Sequence, residues 1–216
     1  MFKSGRKYWL IIVVAIALMA GSVERSLATS LNIQNWDFDD VALSDGTSGT
    51  VGNVQGWVGT GTYGAWNPSS AAFNQDYDGD NVAWLNSGYI SQVLPYYLTA
   101  DHLYTLSVDV GYQQASSCST CTSFGYTIEL LSGGNLLNAY SGTGTAGEWD
   151  KDVSLTYLAS ADGGPLEIRL GASGKRTHFD NVRLGNMAVP EPATFMLLGS
   201  GLLGLAVFGG KKIQVV

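Results

Sequence analysis

Histidine, cysteine and positive charge are all scarce in this chain of 216 residues, which contains 2 His, 2 Cys and 11 Lys and Arg. Neither His102 nor His178 lies in a recognisable nucleophile or metalloprotease motif. The sequence also contains no Gly-x-Ser-x-Gly elbow and no phosphate-binding loop. A catalytic pair of carboxylates, as in glycosidases, is not excluded by the sequence, because the chain has many acidic residues. We therefore predict that the protein is not an enzyme.

The few basic residues are concentrated near the two ends of the chain. Residues 29–188 contain 16 Asp and Glu but only 5 Lys and Arg, which gives this part a charge of about −11. Such a surface repels phosphate backbones, so nucleic acid is excluded as a partner. An acidic surface fits either the solubility of an exported protein or cation binding.

The N-terminal segment has the three parts of a secretory signal. Basic residues precede an apolar stretch at 8–20, and Ser26-Leu27-Ala28 offers the small residues that signal peptidase recognises. The stretch is shorter than the roughly 20 residues that span a membrane. We predict a signal peptide over 1–28, cleaved after Ala28. A retained signal anchor is the alternative, because Glu24-Arg25 places charge close to the cleavage site.

The C-terminal segment combines a short motif, an apolar stretch and a basic end. Val189-Pro190-Glu191-Pro192 is followed by an uncharged stretch at 193–210 and then by Lys211-Lys212. This arrangement resembles the PEP-CTERM sorting tail. The resemblance implies a tail over 187–216, a transmembrane helix at about 193–210 and recognition by an exosortase. It also implies a transient inner-membrane stage, then the cell surface or extracellular matrix of a Gram-negative bacterium. A plain membrane anchor is the alternative.

Between these ends, apolar residues alternate with polar ones in short runs. The period of two is clear at 104–110, 124–130, 153–157 and 166–170, and Gly-rich turns separate the runs. Strands with one buried face must stack as two layers to hide that face. We predict an all-β, two-sheet antiparallel sandwich over residues 29–186.

Four segments, in order, are similar to those of galactose-binding-like and carbohydrate-binding-module jelly rolls. They are the opening Asn35-Trp36-Asp37-Phe38-Asp39 followed by Gly56-Trp57, then residues 88–94, the strand that contains Tyr104, and the closing residues 179–184. The resemblance implies jelly-roll strand order and a structural Ca²⁺ held by Asp39 and Asp180. The acidic run at 76–80 resembles part of a calcium-binding loop, but it lacks the downstream Glu of an EF-hand. An acidic turn without a bound ion is therefore the alternative.

Cys118 and Cys121 form the only cysteine pair and lie in a polar loop. In an oxidising compartment such a pair is expected to form a disulfide. Free or redox-active thiols are the alternative. A zinc site would need two further ligands, for which there is no second cysteine pair.

Aromatic residues outside the apolar runs suggest a sugar-binding surface. Trp57 and Trp84 lie in apolar runs and are predicted core residues, whereas Tyr63, Trp66 and Tyr112 lie in or beside polar loops. We predict that these three form an exposed platform for stacking against a sugar. The predicted function is thus an exported, exosortase-sorted protein that binds glycan in an exopolysaccharide or biofilm matrix. The alternative is a non-catalytic structural matrix protein with a calcium-stabilised sandwich and no sugar ligand.

Overall fold

The computed structural model describes residues 28–75, 77, 79–114, 125–189, 199 and 201. Residues 28–188 form one compact unit. Its described part contains strands β1 (Thr29–Leu31), β2 (Val58–Trp66), β3 (Val82–Tyr97), β4 (His102–Tyr112), β5 (Gly125–Ser132), β6 (Asn135–Thr143), β7 (Trp149–Leu158), β8 (Pro165–Ala172) and β9 (Thr177–Ala188).

The strands form one sheet that folds back on itself as two layers. Strand order is β6-β5-β8-β3-β9-β4-β7, with β1 beside β9 and β2 beside β3, and all pairs are antiparallel. The start of the long strand β3 pairs with β9, while the rest of it pairs with β8. At the far edges, the Asn138 amide on β6 donates to the Thr156 carbonyl on β7 at 2.8 Å. The result is a nearly closed, barrel-like sandwich, which confirms the all-β prediction.

The main core lies between the two layers and follows the predicted alternation. On β4 the side chains of Tyr104, Leu106, Val108 and Val110 are fully buried, while Thr105 is exposed. Burying one face of each strand removes apolar surface from water, and this drives the two layers together.

Trp57 lies in this core, as predicted. Its indole N–H donates to the Asn35 carbonyl at 3.2 Å, and its ring centroid lies 5.6 Å from that of Phe38.

Several predictions fall on residues that the structure does not describe. These are the signal peptide before Ala28, the sorting motif after Val189, almost all of the predicted membrane helix at 193–210, and the Cys118–Cys121 pair. Within the described residues, no helix has the length and apolar character needed to cross a membrane. The signal peptide and the disulfide stay predictions.

Candidate functional site

A row of residues that pair directly across five strands lies near one end of the sheet. The row consists of Gly64 on β2, Trp84 on β3, His178 on β9, Gly111 on β4 and Trp149 on β7. Directly opposed residues share one face of a sheet, whereas their sequence neighbours face the other way. The neighbours Ala83, Val110 and Phe179 belong to the main core. The row therefore lies on the opposite, outer face of the sheet.

The two glycines of the row leave room for the indoles beside them. A Cβ on Gly64 would lie 3.0 Å from Nε1 of Trp84. A Cβ on Gly111 would lie only 2.5 Å from Cε2 of Trp149. Each indole is thus packed against bare backbone, which only glycine permits at these distances.

A strap, residues 67–75, supplies an aromatic residue that packs over the row. The Phe73 ring lies 5.3 Å from that of His178 at an interplanar angle of 89°, and 5.1 Å from that of Trp149. Trp66 lies 5.2 Å from His178, and Tyr77 stacks on Trp149 at 6.1 Å. We call Trp66, Phe73, Tyr77, Trp84, Trp149 and His178 the aromatic layer. It forms a buried cluster separate from the main core.

Polar contacts hold the strap in place. The Asn74 N–H donates to the Gly147 carbonyl at 2.7 Å, and its side-chain amide donates to Oε1 of Glu148 at 3.1 Å. The Gln75 amide donates to the other carboxylate oxygen of Glu148. The Gln114 N–H donates to the Ala72 carbonyl at 2.9 Å. Glu148, beside the start of β7, is therefore the main side-chain anchor of the strap.

His178 is fully buried and uncharged at neutral pH. Burial, with a smaller contribution from the charge of Arg176, lowers the pKa of His178 to about 3. Neither ring nitrogen forms a hydrogen bond of full geometry among the described residues, although a polar contact with the Gly111 backbone acts against the lowering of the pKa. Nε1 of Trp84 and Nε1 of Trp149 have no hydrogen-bond partner among the described residues. Buried polar atoms normally have hydrogen-bond partners. The imidazole and the two indole nitrogens are therefore unusual in lacking strong ones.

Arg176 lies over the aromatic layer. Its guanidinium carbon is 5.3 Å from the Trp84 ring centroid and 5.9 Å from that of Trp66. Partial burial lowers its pKa, but an arginine stays protonated at neutral pH. The layer thus combines indole surfaces with one positive charge.

The two predicted calcium ligands, Asp39 and Asp180, lie in the first loop and on β9. Asp39 accepts the N–H groups of Asp80 at 3.1 Å and Asn81 at 2.6 Å, and burial raises the pKa of Asp39. Asp180 is buried and accepts the Asn181 N–H at 2.7 Å. Across the described residues, no three His, Cys, Asp or Glu side chains are grouped as a metal site would require. The calcium site stays a prediction.

The exposed sugar platform expected from Tyr63, Trp66 and Tyr112 is not formed. All three side chains are buried, with Tyr63 and Tyr112 in the main core and Trp66 in the aromatic layer. The expectation was wrong because Tyr63 and Trp66 belong to β2 and Tyr112 ends β4, so they are strand residues and not loop residues. Trp84 is buried as predicted, but in the aromatic layer.

Two surface grooves lie beside the N-terminal segment of the domain. One, of about 370 Å³, is lined by residues that include Leu31, Trp36 and Arg183. The other, of about 470 Å³, includes Val58 and Gln92. In this groove the Gln92 side-chain oxygen accepts the Gln34 N–H, and its nitrogen donates to the carbonyls of Gln34 and Gly56.

Comparison with protein families gives a match over almost the entire described domain. The family described as HpiC1 cyclase matches residues 29–185. The chain belongs to the HpiC1-like cyclase family. A second match, the PEP-CTERM protein-sorting motif, covers residues 188–212. This confirms the sorting tail, and it implies export, processing by an exosortase-type membrane protease and membrane-anchored sorting toward the cell surface.

Solved structures of cyclases are similar to this HpiC1-like chain over most of its length. An apo cyclase from Fischerella sp. is 26% identical, with a TM-score of 0.64, and the match covers 76% of this chain and 98% of that one. The Stig cyclase Fisc from Fischerella sp. TAU, in complex with (3Z)-3-(1-methyl-2-pyrrolidinylidene)-3H-indole, is 25% identical, with a TM-score of 0.65, and the match covers 76% and 100%. A carbohydrate-binding module in complex with beta-1,4-galactotriose is 16% identical, with a TM-score of 0.47 and 72% and 98% covered. No curated protein matches the chain.

These findings overturn the prediction that the protein is not an enzyme, because its family is one of cyclases. The alternative of a non-catalytic matrix protein is wrong for the same reason. Glycan binding stays a prediction, without the exposed aromatic platform on which it relied.

Four members of the aromatic layer were not predicted from the sequence: Phe73, Tyr77, Trp149 and His178. Their partners are far away in the chain, so no local period connects them. One local signal was present, because Gly64-x-Trp66 and Gly111 place glycines within strands, where a glycine often marks the close approach of another group.

Proposed function

We propose that this HpiC1-like chain is a cell-surface-sorted cyclase that binds the planar, apolar part of its substrate on the aromatic layer. The observation that carries the proposal is the layer itself, a buried set of aromatic rings on the outer face of the sheet, separate from the main core. The solved relative with a bound ligand holds an indole-containing molecule. By analogy, we assign an indole or a similar bicyclic ring as the substrate's planar part.

The strap explains how a substrate could reach rings that are buried. Phe73 packs edge-on against His178 and close to Trp149, which is the position that a bound aromatic ring would take. The strap is fixed largely by hydrogen bonds to Glu148, Gly147 and Gln114 near the surface. Such contacts exchange readily with water, so displacing Phe73 leaves the main core intact.

Ring closure within one substrate molecule is accelerated when its reacting ends are held together. Binding one ring against fixed indoles restricts the substrate to folded conformers. The entropy of ordering the substrate is then lost on binding, which lowers the activation free energy of the ring closure. The neutral His178 can offer one N–H donor and one lone pair in the same place, without a charge. A Ca²⁺ held by Asp39 and Asp180 is part of the proposal, with the structural task of joining the first loop to the last strand.

The test is a calorimetric titration of the full chain with 3-methylindole. We expect saturable binding that weakens about twofold to tenfold in Trp149→Leu, because a ring-to-ring contact contributes about 0.5–1.5 kcal/mol beyond its buried area. Trp36→Leu is the matched control, since Trp36 is 42% exposed and lies outside the layer. Absence of saturable binding to the unaltered chain would refute the proposal, as would equal weakening in both variants.

Activity is tested separately with a 3-substituted indole that carries a pendant alkene. A cyclase that only rearranges bonds gives a product of unchanged mass with a new ring, which mass spectrometry and NMR detect together. We expect such a product from the unaltered chain and a much slower reaction in Trp149→Leu.

A further inference from the structure

The aromatic layer contains an excess of hydrogen-bond donors over acceptors. Nε1 of Trp84 and Nε1 of Trp149 can only donate, and a neutral imidazole such as His178 carries one donor and one acceptor. All of these atoms are buried. Neither indole Nε1 has a partner among the described residues, and His178 has only a weak polar contact, with the Gly111 backbone. An unpaired buried donor is destabilising, so a ligand that supplies acceptors would recover the lost energy.

Arg176 adds further donors, and it differs from the other arginines of the described domain. Arg169 forms ion pairs with Glu129 and Glu167, and Arg183 with Asp109 and Asp152. The described residues offer Arg176 no carboxylate within ion-pair distance, and only its backbone N–H has a bond, to Asn86. Among the described residues, which are rich in acids, this half-buried guanidinium has no counter-charge within ion-pair distance.

The contacts of the Arg176 guanidinium with the described residues leave its hydrogen-bonding capacity unused. Its side-chain contacts are with the rings of Trp84 and Trp66, which hold the charge beside the layer by cation–π attraction. An indole ring offers no oxygen acceptor, so these contacts do not pair the guanidinium N–H groups. Those N–H groups can bind a carboxylate through two parallel hydrogen bonds.

We propose that the ligand of the aromatic layer carries an anionic, oxygen-rich group, such as a carboxylate, which binds the guanidinium edge of Arg176. This rests on the proposed function for the layer as the surface that binds the ring, and it adds the second chemical feature of the substrate class. The substrate is then an aryl acid, with its planar ring on the indoles and its anion at Arg176.

The experiment compares three probes on the full chain: indole-3-acetate, 3-methylindole and tryptamine, which are anionic, neutral and cationic at pH 7. Hydrogen bonds to charged groups contribute about 1.5–3 kcal/mol, so we expect indole-3-acetate to bind about tenfold to hundredfold more tightly than 3-methylindole. Tryptamine should bind most weakly. Sulfate should compete with indole-3-acetate and leave 3-methylindole binding unchanged, a measurement that needs no variant.

Substitutions then locate the preference. Arg176→Met keeps an unbranched apolar side chain over the indoles and should abolish the preference for indole-3-acetate, while Arg176→Lys should keep part of it. Arg183→Met, which removes an ion-paired arginine, is the control and should keep all of it. A purely structural role of Arg176 would weaken all three probes equally.

The outcomes separate the two proposals. If 3-methylindole and indole-3-acetate bind equally well, or if the preference survives in Arg176→Met, the anion site is refuted and the aromatic site stands. If neither probe binds the unaltered chain, the aromatic site itself is refuted, and the anion site with it.

Discussion

Replacing Gly111 by alanine tests whether an indole lies against the backbone of β4. The new Cβ would meet Cε2, Cζ2 and Cδ2 of Trp149 at 2.5, 2.6 and 2.7 Å, whereas an ordinary contact begins near 3.4 Å. The indole would have to move by nearly 1 Å, toward Phe73 and Tyr77, which already pack against it. Overpacking of this kind costs about 1–3 kcal/mol. Alanine recovers about 0.5–1 kcal/mol relative to glycine in a strand.

We therefore expect Gly111→Ala to lower the free energy of unfolding by up to about 2.5 kcal/mol, and Tm by up to about 10 °C. Denaturant unfolding of the full chain measures the free energy of unfolding. Near-ultraviolet circular dichroism should show a changed tryptophan signal. Gly185→Ala is the matched control, because the nearest atom to its new Cβ is the Thr29 carbonyl oxygen at 3.9 Å. If both variants are equally stable and keep the same tryptophan signal, the indole does not lie against Gly111.

Three further predictions concern charge around the layer. Because the pKa of His178 falls from 6.5 in the unfolded chain to about 3 in the folded one, acid favours unfolding. Stability should be full above pH 6.5 and fall by up to about 1.4 kcal/mol per pH unit between 6.5 and 3. His178→Phe should remove this slope in denaturant unfolding at several pH values, and His102→Phe should retain it. Glu148→Ala should release the strap and increase acrylamide quenching of tryptophan, whereas Asp150→Ala, an exposed neighbour, should not. Ca²⁺ should raise Tm of the unaltered chain but not of Asp39→Asn; no rise in either would end the calcium proposal.

The sandwich could be predicted because most strands bury one face only. On β4 the apolar residues Tyr104, Leu106, Val108 and Val110 alternate with polar ones in the sequence. All four apolar side chains are fully buried, whereas Thr105 is exposed. The rule fails where both faces are buried. From Val82 to Leu85 every residue is buried, so the apolar run predicts burial but not which side chain faces which core.

The aromatic layer depends on pairings that one sequence does not show. Trp84 meets His178, and Gly111 meets both His178 and Trp149, only because β3, β9, β4 and β7 are neighbours in the sheet. The pairing register between strands that are far apart in the chain is set by the whole fold, so it cannot be read from one sequence.

The error over catalysis has a different physical origin. Searching for nucleophiles, general bases and metal motifs detects enzymes that attack their substrates. A ring closure within one molecule can be accelerated by holding the reacting ends together, and this leaves no such motif in the sequence.

If the aromatic layer binds the substrate as proposed, binding and stability have separate locations in this fold. The main core holds the layers together, whereas the aromatic layer is covered on its outer side by the strap and its bonds to Glu148. Opening the strap breaks a few hydrogen bonds, each with a net contribution of about 0.5–1.5 kcal/mol, and exposes Phe73. A ligand that covers the same rings restores much of the buried surface. Substitutions in the strap should thus alter ligand affinity far more than the unfolding of the sandwich.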